Sequence, residues 1–240
     1  GLPVWAAVIV GLLFAALVGF INGIIITKTG INSFIVTLGM GSVITGLVYI
    51  LTKAEAFRDL PDAYTDFGKA RWVKFGWLEL SPLLFIAVAV AALLALVYKR
   101  TTFGRWMLAT GANPRAAELS GGPVNFVVQV THALSGLLAG AAGIMLVSRL
   151  GSALPSIGEN WLLPSFAAPI VGGTLLSGGA VAVFGTLLGA LLIESVSVGL
   201  TLMNVPSFWI QLFIGLVLRL AVLIDRARSV AVARGQRGVR

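Results

Sequence analysis

Cysteine is absent from the chain, which excludes disulfides, thiolate metal sites and a cysteine nucleophile. Charge is nearly as scarce: 11% of the 240 residues are Asp, Glu, Lys or Arg, against about 25% in soluble domains. There is one histidine, His132, and no metal-binding constellation or cofactor motif around it. The phosphate-cradling pattern GxxxxGK[ST], whose backbone N–H groups and lysine must meet nucleotide phosphates, is also missing. Its nearest approach, Gly68-Lys69, is followed by Ala70. Any ATP-driven motor must therefore be a separate polypeptide. The chain opens at Gly1 on the edge of an apolar run, with neither a starting Met nor a basic leader, and is read as N-terminally incomplete and without a signal peptide.

What is present is hydrophobicity. At 58% apolar residues and a mean hydropathy of +0.99, the chain is a polytopic membrane protein. The expected fold is an all-α transmembrane helix bundle forming one domain over residues 1–240. Runs approaching the about 20 residues needed to cross lipid lie at Leu2–Thr27, Ile31–Leu51, Leu83–Tyr98, Val124–Val147, Trp161–Leu176, Val181–Leu200 and Phe208–Ile224. That gives about seven segments. Trp161–Leu176 holds Pro164, Pro169, Gly172 and Gly173, so it either crosses or breaks and re-enters.

Basic residues orient the segments, because Lys and Arg in short loops favour the cytoplasm. Lys28, the loop 99–122 (Lys99, Arg100, Arg105 and Arg115 against Glu118) and the tail 225–240 (Arg226, Arg228, Arg234, Arg237, Arg240) carry most of the excess. With seven crossings these regions share one side. The long loop 52–81, whose basic and acidic side chains balance between Lys53 and Glu79, falls on the other. The formal charge of +8 thus reflects topology. It suits an anionic lipid surface near the tail and gives no support to nucleic-acid binding. The aromatics of the outer loop, among them Phe57, Tyr64, Phe67, Trp72, Phe75 and Trp77, fit either an interfacial belt with a short surface helix or a docking surface.

The stretch Thr102–Gly121 is too polar to cross lipid, yet Arg115–Leu119 has good helix formers behind a possible cap at Asn113 and Pro114 at the first helical position. A short helix at the membrane face is expected, the kind of element a soluble motor could push. Small residues at GxxxG spacing (Gly19 and Gly23, Gly136 and Gly140 extended by Gly143, Gly185 and Gly189) allow close helix packing in any compact bundle.

Several blocks carry a family resemblance. Asn22-Gly23, the run Ile31-Asn32-Ser33-Phe34-Ile35-Val36-Thr37-Leu38-Gly39, Phe103-Gly104-Arg105 with Ala109, Gly111, Asn113, Ala116-Ala117 and Ser120-Gly121, then Gly172-Gly173-Thr174, Ser177-Gly178-Gly179 and Gly185–Ala190 occur in family order. Together they resemble the membrane permease subunits of ribose/xylose-type sugar ABC importers, from near Gly19 to Asp225. The resemblance implies a homodimeric permease in the bacterial inner membrane, served by cytoplasmic ATPase subunits and an extracytoplasmic sugar-binding protein. It also implies that Ala109–Gly121 is the coupling helix, with Arg105, Gly111, Asn113, Arg115, Ala116, Ala117, Ser120 and Gly121 as coupling residues. Two positions depart from the family pattern: Gly122 stands where an aliphatic residue is usual, and Val181 where a further glycine is usual.

A sugar path needs polar groups that bind weakly enough to release. Asn22, Thr37, Asn125, Ser135, Glu194 and Asn204 are the candidates. Glu194 and Arg219 lie well inside apolar segments and either pair with each other or face water and the interface separately. Related permeases for nucleosides, branched-chain amino acids or signalling furanoses are alternatives, as is a passive channel. An intramembrane enzyme would have to rely on His132 and Ser135, three residues apart, but no GxSxG elbow accompanies them. No catalytic residue is assigned.

Overall fold

The computed structural model describes residues 3–58, 60–75, 78–175, 178–220 and 223; for 73–75 and 78 only the backbone is considered. The basic tail, Trp77, Ser177 and the end of the last apolar run at Ile224 lie outside the described residues.

The elements run α1 (Val4–Thr29), α2 (Ser33–Thr52), α3 (Asp62–Lys69), β1 (Val73–Phe75), β2 (Leu78–Leu80), α4 (Pro82–Arg100), α5 (Thr102–Ala112), α6 (Pro114–Leu119), α7 (Val124–Leu150), α8 (Leu162–Val171) and α9 (Val183–Leu202), followed by the apolar helix α10 (Ser207–Leu220). The protein is an all-α polytopic membrane protein. Helices α1, α2, α4, α7 and α9 are long and apolar enough to cross a bilayer. Their ends follow local chemistry. α1 stops where Gly30 turns left-handed (φ 69°) and its N–H bonds Ile26 O, and α2 starts where the Asn32 side chain accepts from Phe34 N at 2.9 Å.

The structure selects one alternative that the sequence left open and adds two elements that the sequence did not show. The run Trp161–Leu176 does not form one spanning helix: α8 holds 10 residues, about 15 Å of rise against an apolar core of about 30 Å. Pro169 removes one helical donor, and the chain leaves the helix at Gly172 and Gly173, the latter at φ 87°. The loop 52–81 contains, besides the expected short helix, the antiparallel hairpin β1–β2 with Val73 opposite Leu80. The polar insert is also more helical than expected, since α5 precedes α6.

The chain forms two compact units, residues 1–90 with 115–158 and residues 91–114 with 159–240. In the first, α1 and α7 pack antiparallel along the two glycine faces. Gly19 lies against the His132 carbonyl, Gly23 against the Gln129 backbone and Gly136 against the Ala15 carbonyl, so a Cβ at any of them would meet backbone. Gly143, expected to extend this face, instead opens on free space. A hydrogen bond of 2.9 Å from Gln129 Nε2 to Thr27 Oγ1 closes one end of the seam. At the other end α3 is fastened to α7: Tyr64 Oη donates to Ile144 O and Ser148 Oγ to Tyr64 O, both at 2.5 Å. Burial pushes the Tyr64 phenol above its usual range, so it remains a donor at physiological pH.

Because α1 and α7 touch through backbone, Gly136→Leu is expected to destabilise the protein by about 1–3 kcal/mol, the usual cost of overpacking. Thermal aggregation in detergent, followed by size-exclusion, should show a lowered midpoint, whereas Gly143→Leu should leave it unchanged.

In the second unit, α8 and α9 cross antiparallel, Gly172 on Gly185 and Ala168 on Gly189. Ala167, Ala168 and Ile193 form the core here, with Ile214 and Leu218 of α10 packed against them.

Candidate functional site

The polar insert begins at a sharp corner. Thr101 ends α4 and caps α5: its Oγ1 donates to Val97 O at 2.7 Å and accepts from Gly104 N at 3.0 Å. Gly104 lies against the backbone of Val97 and Tyr98, where no side chain would fit. From this corner α5 runs to Gly111, which meets the connection between α8 and α9. Gly178 and Gly179 adopt φ 84° and 85°, and a Cβ on Gly178 would strike the Gly111 carbonyl. That connection is tied to the hairpin it joins: Thr174 Oγ1 lies 3.1 Å from Thr186 Oγ1 and accepts from Ala182 N at 3.1 Å. The turn therefore holds with Val181 in place of a further glycine. Beside this contact Thr110 is buried, and its hydroxyl has no partner.

After Asn113 comes α6, a helix of six residues whose only buried member is Ala117. Arg115, Ala116, Glu118 and Leu119 are exposed, as are Arg105, Asn113, Ser120 and Gly121. Arg115 and Glu118 form an exposed ion pair at 3.7 Å, worth little to stability. The end of α6 is closed by Ser120 Oγ on Ala116 O and by the N–H of Gly122 on Ala117 O, each at 2.9 Å, so glycine at 122 leaves the cap intact. A short helix with charged side chains outward is unsuited to lipid and belongs at a polar surface.

The candidate path residues are dispersed. Asn22 is 8% exposed inside the α1–α7 seam, its Oδ1 without a partner. Thr37 donates its hydroxyl to Ser33 O of its own helix. Asn125 and Ser135 are exposed on α7, about 15 Å apart along the axis. Glu194 is exposed on α9, and Asn204 stands at φ 57° in the turn before α10. No hydrogen bond joins any two of them. Glu194 and Arg219 are both exposed and make no ion pair with each other. His132 puts Nδ1 2.8 Å from Val128 O on its own helix and makes no hydrogen bond to Ser135, so no nucleophile–base pair is assembled. Among the described residues no cluster of three His, Cys, Asp or Glu could hold a metal.

A polar recess escaped the sequence reading. Glu159, Asn160 and Gln211 line a cavity of about 220 Å³ with Leu163, Pro164 and Ile214, and Gln211 Nε2 donates to Asn160 Oδ1 at 3.2 Å. Gln211 could have been noticed as a polar residue inside an apolar run. Asn160 had no such signal.

Residues 1–222 match the family described as branched-chain amino acid transport system / permease component. The chain is 38% identical over 209 residues to the ribose import permease protein RbsC of Bacillus subtilis (strain 168), covering 87% of this chain and 64% of that protein. It is 34% identical to the L-arabinose ABC transporter permease protein AraH of Azospirillum brasilense, over 91% of this chain and 63% of that one. It is also 34% identical to the fructose import permease protein FrcC of Rhizobium meliloti, over 94% and 64%. The chain thus spans just under two thirds of the length of these relatives. No solved structure matches.

Proposed function

Because the chain belongs to the branched-chain amino acid transport system / permease component family, we propose that it is the membrane subunit of an ATP-driven importer that carries a monosaccharide across the bacterial inner membrane. The likeness to permeases named for ribose, L-arabinose and fructose, over 87–94% of the chain, carries this reading. The geometry supports it through a short exposed helix, α6, preceded by an α5 that touches the α8–α9 hairpin. In the proposed arrangement residues 1–240 act as one permease domain, the insert at 99–122 and the tail face the cytoplasm, and loop 52–81 faces outward. Two copies form the core. A cytoplasmic ATPase grips α6, and an extracytoplasmic binding protein delivers the sugar.

Transport follows from two access states of the helices. The permease alone has nothing to bias one state over the other. ATP binding and hydrolysis in the partner supply that bias, because only a ligand with different affinity for the two states shifts their populations. The motor's stroke would enter at α6 and α5 and reach the α8–α9 hairpin through Gly111 and Gly178.

Reconstitution in liposomes tests the reading. With the ATPase, the binding protein and MgATP, at least one of ribose, arabinose and fructose should accumulate against its gradient. The permease alone should neither hydrolyse ATP nor pass sugar. Rapid passive equilibration without partners would identify a channel. Accumulation of leucine or a nucleoside and of no sugar would assign the chain to those importers instead.

A further inference from the structure

We propose that Asn160 and Gln211 form a hydroxyl-reading subsite, a waypoint at which the incoming sugar is held between the binding protein and the inner half of the path. This rests on the import reading above.

The position follows from the crossing of α8 on α9. Gly172 faces Gly185 and Ala168 faces Gly189, so each step back along α8 is a step forward along α9. Extended to residue 160, that register sets Asn160 level with Ser197, about 7 Å short of the Leu202 end of α9. Gln211 is four residues into α10, about 6 Å from its start at Ser207. The two helices are joined by the short turn 203–206, so both measures put the recess at one level, just inside the ends of α9 and α10. Because α8 is short, the single 3₁₀ turn before it, Glu159–Trp161, reaches that depth.

Amides at such a depth are costly against lipid and belong where they meet water or a ligand. The Asn160 and Gln211 side chains are exposed within the recess. The Gln211–Asn160 hydrogen bond orients two amides and uses one donor and one acceptor of the pair. It leaves the Asn160 N–H₂, the Gln211 carbonyl and the second Gln211 N–H for a ligand. Donors and acceptors side by side match the hydroxyls of a polyol, each of which donates and accepts. The apolar wall of Leu163, Pro164 and Ile214 faces the C–H surface of the ring. At about 220 Å³ the recess lies below the roughly 300–1,000 Å³ of pockets for drug-sized ligands and suits one sugar ring. The recess is open to its surroundings, as a waypoint must be, since tight binding would slow release.

The test uses the complete complex in liposomes and the same three sugars. Asn160→Leu and Gln211→Leu are each expected to lower uptake of the transported sugar about tenfold, the equivalent of one net hydrogen bond. For a deoxy analogue lacking the hydroxyl that is read, the loss should shrink towards none, as a double-mutant cycle requires. Gln211→Cys, read in the assembled complex, keeps the test independent of how the leucine variants fold. An impermeant thiol reagent should modify it from outside, and sugar with binding protein should slow the modification. Wild-type uptake in both leucine variants, with no protection of the cysteine, overturns the subsite and leaves the import reading standing. Failure of the wild-type complex to accumulate any of the three sugars overturns both.

Discussion

Gly178→Val is expected to abolish ATP-driven uptake while leaving a membrane-inserted protein. Two independent costs meet at this residue. Its φ of 84° is left-handed, which costs a residue with a Cβ about 1–2 kcal/mol. The new Cβ would also strike the Gly111 carbonyl, and overpacking of that kind costs about 1–3 kcal/mol more. Since about 1.4 kcal/mol is a tenfold change in population, the fraction of molecules in which α5 rests on the α8–α9 connection should fall by tenfold or more. Gly111→Ala provides a graded comparison. Its Cβ would lie 3.2 Å from Gly179 N, a contact that small shifts can relieve, so uptake should drop only partly. Uptake and ATP hydrolysis are measured on the same proteoliposomes, with size-exclusion to confirm folding. Hydrolysis that continues without uptake marks a broken coupling path. Full uptake by folded Gly178→Val would remove this contact from the path.

The second large effect is all-or-none labelling. The chain contains no cysteine, so single cysteines report cleanly. Asp62→Cys, on the exposed first turn of α3, is expected to react in intact cells with a thiol reagent that cannot cross the membrane. Ser120→Cys, exposed at the end of α6, should react only after permeabilisation. The opposite pattern would invert the orientation and remove α6 from reach of a cytoplasmic motor. Both positions lie within the described residues, so the result does not depend on the tail.

Legibility in the sequence followed the physics of each signal. Spanning helices were readable because lipid demands about 20 apolar residues in a row, and α1, α2, α4, α7 and α9 answer that demand. The run 161–176 stood open between crossing and breaking, and Pro169 with Gly172-Gly173, the residues that raised the second alternative, lie where α8 ends after 10 residues. The glycine faces of α1 and α7 were visible as faces, but spacing does not say which face meets which. Gly143 shows the limit, since it keeps the spacing and touches nothing. The helix α6 was legible from Pro114 onward, where the sequence places its first residue. Its link to Gly178 was not, because that contact joins residues 67 positions apart through backbone alone, and no side-chain chemistry advertises it. Asn160 and Gln211 were hidden in the same way: they become neighbours only when α8 is known to be short.

The fastening of α3 to α7 also governs when the segment between α2 and α4 can take its form. An isolated helix of eight residues is marginal in water, well under the roughly 12–15 residues at which even good sequences begin to persist. Its anchors, Ile144 and Ser148, lie 80 and 84 positions further along the chain. At about 5–20 residues per second of synthesis, Tyr64 waits some 4–17 s for Ser148 to be made. During that interval α1 and α2 are already chemically able to enter the bilayer, while the segment after them has nothing to fold upon. This segment is therefore a late-assembling part of an early-translated region, and residues 62–69 gain these anchors only once α7 has been made.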